Sequence, residues 1–306
     1  FSKVRGVKMK KIVRITGIIF LAIVFCVSFF SYAKADIKIG VLAKRGAPKC
    51  MQKWGATSAY LSEKLGTKVT ILPLKFTAIE PMVKEGKIDF MLANSAFYVE
   101  MEKKYNVSAV ATLINSRKGK ALKEFSGVIL VRNDSPIKSI DQLKGKKFMC
   151  VKYSSFGGGH MAWRLMLENG IDPKKDCASF LEGKKHDNVV LAVKNGTVDA
   201  GTVRSDTLER MQDEGKIKMS DFRIIHQLKD DFPFVHSTRL YPEWPMAACT
   251  KTDKALSQKV ADALIAMASD STAAKSAKIV GWTKPLDYGS VTECLTTIKY
   301  GAFGGK

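Results

Sequence analysis

A chain of 306 residues with a net charge of +21 has room for one large or two modest domains, since typical domains run to about 100–150 residues. The basic balance admits nucleic acid, an anionic membrane surface or an acidic ligand as partner. The lysines are scattered rather than gathered on one aromatic-rich element, and an export segment opens the chain, so nucleic acid is excluded and a general anion-attracting field remains.

That segment comes first. Residues 12–30 are apolar apart from Arg14, Thr16, Gly17 and Ser28, with Lys8, Lys10 and Lys11 in front and Ala33-Lys34-Ala35 behind. A basic front, an apolar middle and a small-residue site read as a secretory signal cleaved after Ala35, against the alternative of an uncut anchor. Met9 reads as the natural start, with residues 1–8 as upstream sequence. Removing residues 1–35 leaves 271 residues and a net charge of +14. The product is expected in the periplasm as a monomer.

Beyond the signal, short runs rich in Val and Ile alternate with helical patterns. Strands are expected at 37–43, 68–74, 89–93, 107–113, 126–132, 147–153, 198–203, 222–227 and 245–250. Helices are expected at about 52–65, 78–86, 96–104, 139–144, 158–169, 187–195, 205–215 and 253–269. In the last of these Leu256, Val260, Leu264 and Met267 recur at helical spacing and give one buried face. The alternation predicts an α/β fold of largely parallel sheets flanked by helices, with a ligand outside the carboxyl ends of the strands.

An internal echo divides the chain. Val83-Lys84-Glu85-Gly86-Lys87-Ile88-Asp89 ends one helix and opens a strand, and Val193-Lys194-Asn195-Gly196-Thr197-Val198-Asp199 does the same 110 residues later. Gly supplies the left-handed stop in both. A repeat this long predicts two similar lobes rather than a solenoid, whose period is about 20–50 residues. The expected lobes are 36–128 with 245–306, and 129–244. Two extended crossings, at 125–133 and 224–245, would make a hinge and a closing cleft.

The strand-end loops carry the candidate ligand groups. In Tyr153-Ser154-Ser155-Phe156-Gly157-Gly158-Gly159-His160 the hydroxyls of Ser154 and Ser155, with the amides of Phe156 to Gly159, would converge on an anion at a helix start. The competing reading is a plain helix cap. No Gly-Lys-Ser/Thr follows, so this is not a Walker loop. His186 precedes a helix, where a side chain can face the cleft or merely cap. Arg204, Ser205 and Asp206 end one strand, with Asn94, Ser95 and Tyr98 at the equivalent place in the first half, and Lys44 and Arg45 follow the first strand. The Arg204 fork suits a bidentate oxyanion contact. Five cysteines remain after the signal, Cys50, Cys150, Cys177, Cys249 and Cys294, and read as one or two disulfides plus buried thiols. No metal spacing, no cofactor signature and no G-x-S-x-G appear, so catalysis is not expected.

These residues carry a resemblance. From Ile37 to about Tyr300 the chain resembles the phosphate/phosphite/phosphonate family of type 2 periplasmic binding proteins, two-lobed receptors for ABC importers. The markers are Ser154-Ser155-Phe156-Gly157, His186 ahead of Leu191-Ala192-Val193-Lys194-Asn195-Gly196, and Pro242-Glu243-Trp244-Pro245. The resemblance implies an oxyanion held by Ser154, Ser155, Phe156 and His186. Where relatives that bind aminoalkyl phosphonates use tyrosines, Phe76 and Ala93 stand here, and of their two acids Asp206 remains while Trp244 replaces the other. That departs from an aminophosphonate ligand. Val41-Leu42-Ala43-Lys44-Arg45-Gly46, Cys50 and Trp54 are similar to the sensor regions of tetrathionate-type histidine kinases. The partner implied is thus an ABC permease or a histidine kinase, and the chain to Lys306 reads as a free receptor.

Overall fold

The computed structural model describes residues 36–305; the signal-segment reading lies outside them. In chain order the elements are β1 Ile37–Leu42, α1 Ala47–Leu65, β2 Val69–Leu74, α2 Phe76–Lys84, β3 Phe90–Leu92, α3 Ser95–Tyr105 and β4 Ser108–Arg117. Then come β5 Lys120–Leu122, β6 Glu124–Phe125, β7 Gly127–Arg132, β8 Lys147–Cys150, α4 Met161–Glu168, α5 Pro173–Asp176, β9 Ser179–Glu182 and α6 His186–Lys194. The rest are β10 Ala200–Arg204, α7 Thr207–Asp213, β11 Phe222–Ile225, β12 Tyr241–Pro242, β13 Pro245–Ala248, α8 Lys254–Ile265, α9 Thr272–Ala277, β14 Ile279–Thr283 and α10 Gly289–Thr297.

The strands form two main sheets. The first runs β14-β4-β13-β3-β1-β2, with β5 beside β4, and the second runs β11-β7-β10-β8-β9. Within them β3-β1-β2 and β10-β8-β9 are matching parallel triplets, and the 110-residue echo falls on them. Asp89 Oδ2 accepts the Lys38 N–H at 2.7 Å, and Asp199 Oδ2 accepts the Lys147 N–H at 2.7 Å. The repeated Asp thus pins the start of each central strand to its neighbour. The strands flanking the triplets run antiparallel, β13 against β3 and β4, and β7 against β10 and β11. Each sheet is therefore mixed rather than largely parallel: the first because the chain returns to it with β13 and β14, the second because β7, its first strand, runs against β10 and β11.

Alternation along the strands buries both faces. Phe90 and Leu92 pack with Ile39, Val41 and Trp54, while Met91 between them packs with Ile79 and Val99. In the second sheet Val128 and Leu130 face one layer and Ile129 and Val131 the other. Period-two burial on both faces is what a sheet covered by helices on each side requires.

The passage between the sheets is a short ribbon. Tyr241 pairs with Phe125 and Pro242 with Glu124, in antiparallel register. Ser126 donates to the Thr238 carbonyl at 2.6 Å, and the Gly127 N–H donates to Thr238 Oγ1 at 2.9 Å. The crossings are thus tighter than the sequence suggested, since β7 and β11 belong wholly to the second sheet. All five cysteines named above are free thiols, which corrects the disulfide expectation; Cys50, Cys150, Cys249 and Cys294 are buried core residues, and Cys177 is half-buried.

Candidate functional site: a cationic cleft

The carboxyl end of β1 sets the site. After Leu42 the chain turns through Lys44-Arg45-Gly46, and Gly46 takes a φ of 90° before α1 starts at Ala47. Pro48 in the first turn suits the helix start, and Cys50, Trp54, Thr57 and Leu61 form its buried stripe. The first two turns of α1 thereby bring Lys49 and Lys53 beside Lys44. Across from them β4 runs on to Arg117, and β10 ends at Arg204. A cavity of about 570 Å³ lies among these elements, with Trp244 and Asn115 in its wall. Eight of its lining residues are Lys or Arg, and none is Asp or Glu.

Two carboxylates stand behind the wall. Glu243, fully buried, takes the Arg204 guanidinium in a two-point pair, Nη1 to Oε2 at 3.2 Å and Nη2 to Oε1. Asn115 Nδ2 donates to Glu243 Oε1 at 2.5 Å. Burial would raise the Glu243 carboxyl, but Arg204, Arg117 and Asn115 outweigh it and hold it below the usual carboxylate range. The Arg204 guanidinium stacks 4.2 Å from the Phe125 ring, and its buried Nε finds no partner. Arg117 Nε lies 2.8 Å from Asp206 Oδ2, so β4 and the start of α7 are joined by an ion pair.

Crowding of protein around the cavity acts on the lysines although water reaches them. Burial, then Lys53, Arg204, Arg117 and Arg45, bring the Lys44 ammonium down to about 7. Burial and Arg117 bring Lys53 down to about 8, against the pull of Glu243. The Lys44 ammonium also sits 4.9 Å from the Trp244 ring. Cations pushed together without matching acids are an arrangement that an anion relieves.

His186 opens α6 and accepts the Arg204 backbone N–H on Nδ1 at 3.2 Å. That bond leaves the proton on Nε2. Burial and the neighbouring Lys44, Arg204, Arg45 and Arg210 charges push the ring down to about 3, so it is a neutral donor at physiological pH. A histidine that gains charge on mild acidification is therefore not what this environment makes. We expect His186→Ala to weaken anion binding equally at pH 5.5 and 7.5, by calorimetry; a larger loss at pH 5.5 would mean that the ring protonates.

The serine turn lies against this group. Phe156–His160 forms one wide π-type turn leading into α4, and Ser155 at its start makes no capping bond with its side chain. A Cβ on Gly158 would lie 2.5 Å from Val151 Cγ2 and 3.0 Å from His186 Cε1, so glycine is needed for this approach. Gly157 likewise faces Phe125 and the Arg204 Cβ. The first-turn amides lack intrahelical acceptors, but Phe156 to Gly159 are buried, and none of them, nor Ser154, Ser155 or His186, lines the cavity itself. The Phe156 ring is itself in the core, 5.0 Å from the Tyr241 ring and 6.0 Å from that of Phe125, leaving only its backbone to offer.

Other expected residues are engaged elsewhere. Asn94 caps α3 by accepting the Phe97 N–H at 3.1 Å, and Ser95 donates to the Pro242 carbonyl at 2.7 Å. Tyr98 is buried, with its hydroxyl bound to Glu102 and accepting the Ala109 N–H at 3.2 Å. Phe76 packs on Phe97, with the Lys152 ammonium 5.5 Å from its ring. The sequence reading missed Lys53, Arg117, Asn115 and Glu243 as site residues. A second cavity of about 610 Å³, beside α8, mixes Lys254 and Lys284 with Asp262 and shows no such convergence.

Residues 39–288 match the family model described as ABC transporter, phosphonate, periplasmic substrate-binding protein. The tetrathionate sensor histidine kinase TtrS of Salmonella typhimurium is 31% identical over 228 residues, 74% of this chain, and the chain spans 38% of that kinase's length. Among solved structures, XAC2383 from Xanthomonas citri bound to ATP is 21% identical with a TM-score of 0.68, covering 87% of this chain and 98% of that one. PhnD1 from Prochlorococcus marinus in complex with methylphosphonate is 15% identical with a TM-score of 0.66, covering 85% and 97%. The fold is that of the type 2 periplasmic binding proteins, and the chain belongs to the phosphonate ABC transporter periplasmic substrate-binding family.

Proposed function

We propose that this chain is a periplasmic receptor that captures a small oxyanion in the cationic cleft, for delivery to an ABC importer, and leaves the ligand chemically unchanged. The observation that carries this is the cavity lined by eight cations and no acid. The same lining disfavours an aminoalkyl ligand, because Asp206 and Glu243 are committed to Arg117 and Arg204 and no carboxylate is left to hold an amine. The two sheets act as lobes that move about the ribbon of β6 and β12, close to the expected division of 36–128 with 245–306 and 129–244 but with the first boundary ahead of Gly127, so that β7 stays whole. A sensory role, with a histidine kinase as partner, is the second reading, favoured by the identity to the TtrS kinase.

Calorimetry against phosphate, methylphosphonate, sulfate and tetrathionate tests the reading. Ser155→Ala should lower affinity roughly tenfold to a hundredfold, since a hydrogen bond to a charged group contributes about 1.5–3 kcal/mol. Parent-like affinity in that variant would reduce the turn to a structural role. Failure of all four anions to bind would remove the oxyanion function.

A further inference from the structure

The charges around the cleft do not balance for a ligand with one small anionic head. Lys44, Arg45, Lys53, Arg117 and Arg204 act on one another electrostatically, and Glu243 and Asp206 are the carboxylates paired with them. A single phosphoryl-type group supplies about −1.5 to −2 at neutral pH. Five inner cations against two carboxylates leave more positive charge than that head neutralises.

Three more lysines stand at the mouth of the same cavity, Lys49, Lys275 and Lys278, all exposed. Their placement is built into the fold. Lys275 lies in the last turn of α9, and Lys278 is its left-handed cap at φ 54°. The Lys278 carbonyl accepts the Ser116 N–H at 3.3 Å, which ties the cap to β4 one residue before Arg117. The cavity volume of about 570 Å³ falls in the range that houses drug-sized ligands rather than one tetrahedral ion. Inside, the Nε of Arg204, a residue 8% exposed, is a donor without an acceptor.

Resting on the oxyanion-receptor reading, we propose that the cleft takes a ligand with two or more anionic centres. One centre is held by Arg204, Arg117 and Lys44, and the next by a second subsite at Lys275 and Lys278.

The test is calorimetry at fixed ionic strength with one-centre anions (phosphate, methylphosphonate, sulfate) and two-centre anions (pyrophosphate, methylenediphosphonate, tetrathionate). The tightest two-centre anion should bind at least tenfold more strongly than the tightest one-centre anion. The double variant K275Q/K278Q should cut two-centre affinity about tenfold and leave one-centre affinity within twofold. K138Q/K144Q, which removes equal charge outside the cavity lining, should change neither, and thermal unfolding confirms that each variant is folded. A one-centre anion that binds as tightly as the best two-centre anion overturns the proposal. So does a rim variant with intact two-centre affinity, or a control pair that weakens binding as much as the rim pair. No binding by any of the six anions would instead overturn the receptor reading beneath it.

Discussion

Replacing Arg204 with Met lowers the unfolding midpoint by roughly 10 °C and removes most anion affinity, and the two losses separate when Glu243 is also replaced. Arg204 is 8% exposed and Glu243 is fully buried, so the single variant leaves a carboxylate in the interior with only Asn115 as its side-chain donor. Breaking a buried pair from one side costs about 3–5 kcal/mol, and each kcal/mol moves the midpoint of a large domain by about 2–4 °C. Replacing both partners by apolar residues of similar volume is often neutral. R204M/E243L should therefore regain most of the lost stability while affinity stays down about tenfold to a hundredfold, since the charge-assisted contacts to the ligand are still missing. Thermal unfolding and calorimetry on the three proteins decide it. A double variant that binds like the parent would show that Arg204 serves only the crossing.

The second large effect is with pH. Lys44 stands at about 7 and Lys53 at about 8 in the ligand-free cleft, both drawn down by burial and by neighbouring cations. An anion binds the protonated forms, so affinity should be level below about pH 6.5 and fall as pH rises through 7 to 9. Each lysine contributes at most about tenfold per pH unit above its own value. The expected loss between pH 6.5 and 9 is roughly tenfold to a hundredfold, the exposure of both side chains moderating it. Arg117 and Arg204 keep their charge, His186 is neutral throughout, and Glu243 is ionised, so Lys44 and Lys53 set the profile. Sulfate is the suitable probe because it does not titrate in this range. Folding stability should move the opposite way. The unfolded chain holds these protons up to about 10.5, and the folded chain loses them earlier, so the ligand-free protein should gain stability from pH 7 to 10. K44M/K53M should flatten both curves; an unchanged profile in that variant would place the titrating groups elsewhere.

The fold was largely readable because its strands are short runs of Val, Ile and Phe with clear stops. All nine expected strands are present, within about four residues at their ends. Among the elements that escaped, β14 and α10 carry buried apolar residues, whereas others were weakly patterned. The strand β9 has four half-exposed or exposed residues, and α9 buries only Ala273, Ala274 and Ala277, so neither shows an apolar stripe of large side chains. In the site, Lys44, Arg45 and Arg204 follow from the rule that ligands sit at carboxyl ends of strands. Lys53 and Arg117 escaped through boundary errors, since α1 starts five residues earlier than expected and β4 runs four residues further. Asn94, Ser95 and Tyr98 were chosen as the equivalents of Arg204, Ser205 and Asp206, but of these six only Arg204 lines the cavity. The tight Arg204–Glu243 pair has no local signature, because its members are 39 residues apart.

The strand order carries a consequence for synthesis. The second sheet is built wholly from residues 127–225, a continuous stretch, whereas the first has a vacancy between β3 and β4 until β13 arrives. As the chain becomes available from its amino end, the second sheet can therefore be complete while the first is still two separate pieces with open inner edges. The residues that join them, Pro245–Ala248, are made only after the whole of the second sheet. A chain cut short before Pro245 would keep one finished half and present the unpaired inner edges of β3 and β4, which makes it a substrate for aggregation or proteolysis rather than a smaller working receptor.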